Sequence, residues 1–85
     1  MNTSTETRVA VISIIVEEPS CVPDINGILH DAADSIIGRM GIPYREKDIS
    51  IISVVVDADQ NIINNISGRL GRLQGATVKT AYSKK

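Results

Sequence analysis

Two stretches of this chain are apolar on both of their alternating faces, and that property narrows the folds open to it. In the first, Val9, Val11, Ser13 and Ile15 alternate with Ala10, Ile12, Ile14 and Val16, and successive side chains of a strand point to opposite sides of the pleat. In the second, Ile49, Ile51 and Val55 alternate with Ile52, Val54 and Val56. A strand that wants both faces dry belongs inside a sheet covered on each side. How a chain of 85 residues supplies two covers is therefore the question that leads toward function.

Composition bounds the answer. A single domain of this size buries only about 60 to 65% of the surface its unfolded chain exposes, so its stability margin is thin. Hydrophobic residues make up 42% of the sequence and aromatic residues 2%, the latter being Tyr44 and Tyr82; the core must be aliphatic. Nine Lys and Arg stand against ten Asp and Glu, so no basic field is available to hold a nucleic-acid backbone, and direct nucleic-acid contact is not expected. Cys21 is the single cysteine and has no internal disulfide partner. The polar start, Met1 to Thr7, lacks a basic-then-apolar leader pattern, and no apolar run approaches the roughly 20 residues needed to span a bilayer. A cytoplasmic location without membrane contact is the expectation.

Along the chain, residues 1–7 read as a disordered N-terminal tail and residues 8–85 as one domain. Glu17-Glu18-Pro19-Ser20 breaks the first strand, Ser20 or a neighbour is expected to cap a helix, and Pro23 suits its first turn. Ile25, Ile28, Leu29, Ala32 and Ile36 recur at spacings of three and four, which predicts a helix of about 12 to 15 residues. A second strand follows before Ile42. Its Pro43 restricts it to a sheet edge, and Pro43 to Asp48 reads as a hairpin loop. After the third strand Asp57 and Asp59 offer caps for a helix carrying Ile62, Ile63, Ile66, Leu70 and Leu73 on one stripe. Gly68 inside that helix costs about 1 kcal/mol relative to alanine, which suggests a close backbone approach there. Gly71 or Gly75 ends the helix, and Ala76 to Tyr82 forms a weakly alternating edge strand.

The order is β-α-β-β-α-β. Right-handed crossovers with the two most apolar strands in the centre give an α+β, ferredoxin-like sandwich, its antiparallel sheet ordered 4-1-3-2 and both helices on one face. Two helices shelter one side. The other retains about six to eight aliphatic side chains, a patch of a few hundred Å² that monomers seldom leave wet. A homo-oligomer, dimer or tetramer, is expected to cover it, with Val9, Val11, Ser13 and Ile15 of the first strand and Ile51, Ser53 and Val55 of the third as the interface.

Val16-Glu-Glu-Pro-Ser20, Ile25-Asn-Gly-Ile-Leu29 and Ser35-Ile-Ile-Gly-Arg39 resemble the first half of ACT-type regulatory domains and the metal-binding core of nickel-responsive regulators. Gly38-Arg-Met-Gly-Ile-Pro-Tyr-Arg-Glu46 and Asn65-Ile-Ser-Gly-Arg-Leu-Gly-Arg-Leu-Gln-Gly-Ala-Thr-Val-Lys-Thr80 resemble the iron-only hydrogenase system regulators, over almost the whole chain from Arg8 onward. The resemblance implies an ACT-like fold, assembly through sheets and a regulatory role, and no catalytic residues. In ACT-like domains the turn after the first strand faces a subunit boundary. The matching residues Glu17, Glu18, Pro19, Ser20 and Cys21 are thereby the expected contact for a small-molecule effector, with amides at the helix start available to an anion. The histidines and cysteine of nickel regulators have no counterpart between Gly38 and Ser53.

Other constellations are weaker. His30 and Asp34 lie one turn apart, and two ligands fall short of a metal site; a solvated pair is the better account. Cys21 reads as buried filler. Asp57, Asp59 and Asn61 imitate the start of a calcium loop, yet Ile62 stands where the glycine belongs and Gly68 where the glutamate belongs. Gly68-Arg-Leu-Gly71 imitates a nucleic-acid clamp without the basic surround, and the central strands lack the aromatics with which RNA-recognition domains stack bases. With one histidine, one cysteine and no converging triad or carboxylate pair, an enzyme is not expected, nor any cofactor or metal. The expected function is a regulatory or sensory homo-oligomer that binds a small effector and acts with a separate protein, the alternative being a ligand-free assembly module.

Overall fold

The structure, a computed structural model, describes residues 6–85. Most of the tail expected at residues 1–7 lies outside the described residues. The elements are β1 (Arg8–Val16), α1 (Val22–Asp31), β2 (Ile36–Tyr44), β3 (Ile49–Ala58), α2 (Gln60–Gly71) and β4 (Ala76–Tyr82), with short 3₁₀ turns at Pro19–Cys21, Ala33–Ser35 and Arg45–Lys47. All strand pairs are antiparallel, and the sheet runs β2-β3-β1-β4, the expected order read from the opposite edge. The two-faced strands β1 and β3 occupy the centre, as their composition demands. Among the described residues no helix is long and apolar enough to cross a membrane.

The helices pack on the face that carries Ala10, Ile12, Ile14 and Val16 of β1 and Ile52, Val54, Val56 and Ala58 of β3, each at most 7% exposed. Ile25, Ile28 and Leu29 of α1 and Ile63, Ile66 and Leu70 of α2 close this core, which contains no aromatic ring and, among the described residues, no buried polar side chain. Arg8 lies over the Tyr82 ring at 4.5 Å, and its guanidinium donates to Gln60 Oε1 at 2.8 Å. Gln60 Nε2 donates in turn to the Tyr82 hydroxyl, so the ends of β1 and β4 are clasped to the start of α2.

Local structure departs from expectation in four places. The first helix has ten residues, because the Ala32 amide donates to Leu29 O and tightens the last turn. The β-branched pair Ile36-Ile37 then enters β2, where such side chains pack better than in a helix. No side chain caps α1: the preceding 3₁₀ turn leaves Cys21 at the cap position, with the Cys21 amide donating to Glu18 O. The β2–β3 hairpin is shorter than Pro43 to Asp48, since β2 continues to Tyr44 and Asp48 closes the turn in the left-handed region at φ 55, which Asp tolerates. Gly68 meets no backbone: an added β-carbon would have only Arg72 Nη1 nearby, at 3.7 Å. Asp59 caps α2 as expected, accepting from the Ile62 amide at 2.9 Å, while Asp57 stays in β3.

Candidate functional site

Among the described residues, no helix lies on the second face of the sheet. Register places Val9, Val11, Ser13 and Ile15 opposite Asp57, Val55, Ser53 and Ile51, and the same side receives Gly38, Met40, Ile42 and Tyr44 from β2. Val9, Ile15, Ile51, Met40, Ile42 and Tyr44 are between 37 and 59% exposed, whereas Val11, Ser53 and Val55 are half-buried by their neighbours and Ser13 is exposed. All seven residues named from sequence as an interface thus share one uncovered surface. Met40, Ile42 and Tyr44 were missed. Alternation at 38, 40, 42 and 44 was the available signal, masked by the two glycines and the proline.

The first turn is built differently. The Gly75 carbonyl accepts from the Glu17 amide at 2.7 Å and from the Glu18 amide at 3.0 Å, and the Cys21 thiol points to the same oxygen at 3.7 Å. Glu17 also accepts from the Thr77 hydroxyl at 2.8 Å. Pro19 has no N–H, and the Cys21 and Val22 amides donate to Glu18 O and Pro19 O. The turn is therefore laced to the α2–β4 connection, and four of its amides are occupied. Burial pushes the Cys21 thiol above its ordinary pKa, a hydrogen bond with its backbone pulls the other way, and the carboxylates of Glu18, Asp24 and Glu17 add to the rise. A protonated buried thiol is a poor nucleophile and a poor metal ligand.

Beside Pro19 lies a small hollow of about 120 Å³. Val16, Val22 and Ile49 line it with Pro43 and Tyr44, and Arg45 and Asp48 stand at its hairpin side. Two larger open grooves flank the helices. One of about 570 Å³ runs between α1 and α2 past His30, Asp31, Arg69 and Arg72. The other, about 450 Å³, passes Asp34, Asp59 and Ile62. Arg69 bridges Asp31 at 3.2 Å where both are exposed, a contact that contributes little to stability. His30 and Asp34 line different grooves, and among the described residues no three His, Cys, Asp or Glu side chains converge as a metal would require. Asp57, Asp59 and Asn61 are divided between β3, the cap and α2, and Gly71 is the last residue of that helix.

Residues 8–80 match the family model described as "TM1266-like: Iron-only hydrogenase system regulator, putative". The chain belongs to the TM1266-like family. Among solved structures, that of the uncharacterized protein TM1266 from Thermotoga maritima superposes with a TM-score of 0.88 at 34% identity, covering 93% of this chain and all of that one. The de novo designed protein Foldit4 superposes with a TM-score of 0.61 at 18% identity over 94% of this chain and 99% of its own, which speaks to the fold alone. No curated protein matches the chain. The description of the TM1266-like family is that of a regulator, and the apolar sheet face of this TM1266-like chain exposes Val9, Ile15, Met40, Ile42, Tyr44 and Ile51.

Proposed function

We propose that the protein is a cytoplasmic regulatory subunit that works as a homo-oligomer, reports a small effector to a separate partner protein, and catalyses no reaction itself. The observation that carries this reading is the uncovered sheet face. The chain, a member of a family described as a regulator, leaves an aliphatic surface against water at a cost, and a second copy removes that cost. Glu17, Glu18, Pro19, Ser20 and Cys21 are the effector contact in this proposal, in keeping with the ACT-like resemblance, and the adjoining hollow beside Pro19 and Tyr44 offers it room.

The Gly75 carbonyl favours the second reading, a ligand-free assembly module. It takes the Glu17 and Glu18 amides that an anion would otherwise use. Thermal unfolding of the purified protein with amino acids, nucleotides or divalent cations separates the two, because a ligand at 100 times its Kd adds about 2.7 kcal/mol. A shift of several degrees with one class supports the effector; no shift with any class, in a protein that is oligomeric, supports the assembly module.

A further inference from the structure

We propose that the groove where the end of α1 meets the start of α2 docks the separate partner protein, and that it takes a segment in which lysine or arginine side chains flank an aliphatic one. The inference rests on the partner named in the reading above and gives that partner a chemistry. It makes no use of the sheet face.

The groove has a volume of about 450 Å³, and Ile62 lines it beside Ala32 and Ile66. Ile62 and Ile63 are neighbours in α2, so they stand about 100° apart around the helix, and one stripe cannot bury both. Ile63 is fully buried, while Ile62 remains 42% exposed. Among the described residues, the other large apolar side chains left exposed all belong to β1, β2 and β3. Ile62 is thus the aliphatic anchor that the helical layer presents, and it is set in a concavity where an incoming side chain can pack against it.

Charge decides what fits there. The groove's charged lining is Asp31, Asp34, Asp59 and Arg69, and Arg69 is engaged with Asp31. The Asp34 carboxylate has no ion pair or hydrogen bond among the described residues. Asp59 accepts from the Ile62 amide, which satisfies one oxygen and leaves its charge uncancelled. The surplus is therefore negative on both sides of the anchor. An acidic segment is repelled, and a wholly apolar one strips water from carboxylates without replacing it. Cationic side chains remove both objections. A metal ion does not answer the same description, because among the described residues no three acidic side chains converge. Acceptors set apart along a groove, with an aliphatic side chain between them, match a polypeptide whose side chains are spaced in the same way.

The test titrates the isotope-labelled full chain with a synthetic peptide of about a dozen residues carrying leucine and lysine at helical spacing, followed by amide chemical shifts. Control peptides replace every lysine by glutamate or every leucine by serine. The protein variants are Ile62→Gln, which keeps a good helix former, and Asp34→Asn combined with Asp59→Asn, which keeps the cap acceptor. Asp24→Asn, in the neighbouring groove, controls for net charge. Circular dichroism checks that each is folded. Shifts centred on Asp34, Asn61 and Ile62, with affinity falling at least about threefold in both groove variants and weakening with salt, support the proposal. Smaller losses, shifts centred elsewhere or absent, equal binding of the glutamate peptide, or an equal loss with Asp24→Asn overturn it. Sedimentation of the variants runs alongside. A lower mass for the Asp34→Asn, Asp59→Asn protein shows that the groove holds a second copy, and this also overturns the proposal. Each of these failures leaves the homo-oligomer reading to be decided by the mass of the unmodified chain.

Discussion

Gly75 lies so close to Glu18 that a β-carbon added to it would sit 2.7 Å from the Glu18 β-carbon, and its φ of 90° belongs to the left-handed half of conformational space. The atom in the way is part of a folded turn, not the free end of a side chain. Gly75→Ala is expected to destabilise the protein by about 2 to 3 kcal/mol, combining the conformational penalty with displacement of the Glu18 turn. Urea unfolding monitored by circular dichroism gives the value; a change under 0.5 kcal/mol contradicts it.

The glycines inside the helices behave oppositely. An added β-carbon at Gly27 meets nothing within 4 Å, so Gly27→Ala should raise stability by about 0.5 to 1 kcal/mol through helix propensity. Thermal melts are expected to shift upward by several degrees for a domain of this size. A downward shift shows that this side of α1 is occupied by something outside the chain.

Removing the cap of α2 with Asp59→Ala leaves the Ile62 amide without its acceptor and should cost about 1 kcal/mol. Asp59→Asn keeps an acceptor oxygen and should recover most of that loss. A loss under about 0.3 kcal/mol for Asp59→Ala would show that the contact contributes little.

The Cys21 thiol is buried and its pKa is raised. A disulfide reagent should therefore react far more slowly with native protein at neutral pH than with protein in denaturant. The sign for stability follows from linkage: unfolded cysteine ionises near pH ~8.5, and above that point the unfolded chain releases a proton the folded chain retains, so stability falls as pH rises. Below it the contribution is flat. Native reactivity equal to that in denaturant contradicts the burial.

The architecture was legible because β1 and β3 carry aliphatic residues on both alternating sets and α1 and α2 carry them at helical spacing, signals that survive without tertiary context. Element ends were less legible. Ile36 fits the stripe of α1 equally well, and only its pairing with Val56 assigns it to β2. The first turn was harder still, since nothing near Glu17 announces that a carbonyl 58 residues later in the chain, at Gly75, occupies its amide. Glycine in a connection signals a left-handed φ, not what its carbonyl will meet. The face of β2 was obscured because Gly38 and Gly41 fall on different alternating sets and Ile37 is the extra residue of a bulge.

The central claim is that the aliphatic face of the sheet is covered by another copy, and sedimentation equilibrium of the unmodified chain beside Ile51→Glu tests it most directly. The unmodified protein is expected at twice or four times its 9.2 kDa mass at tens of micromolar. Ile51→Glu, with a charge set into the face and its circular dichroism unchanged, is expected at the single mass. An unmodified protein that sediments as one chain across that range contradicts the account.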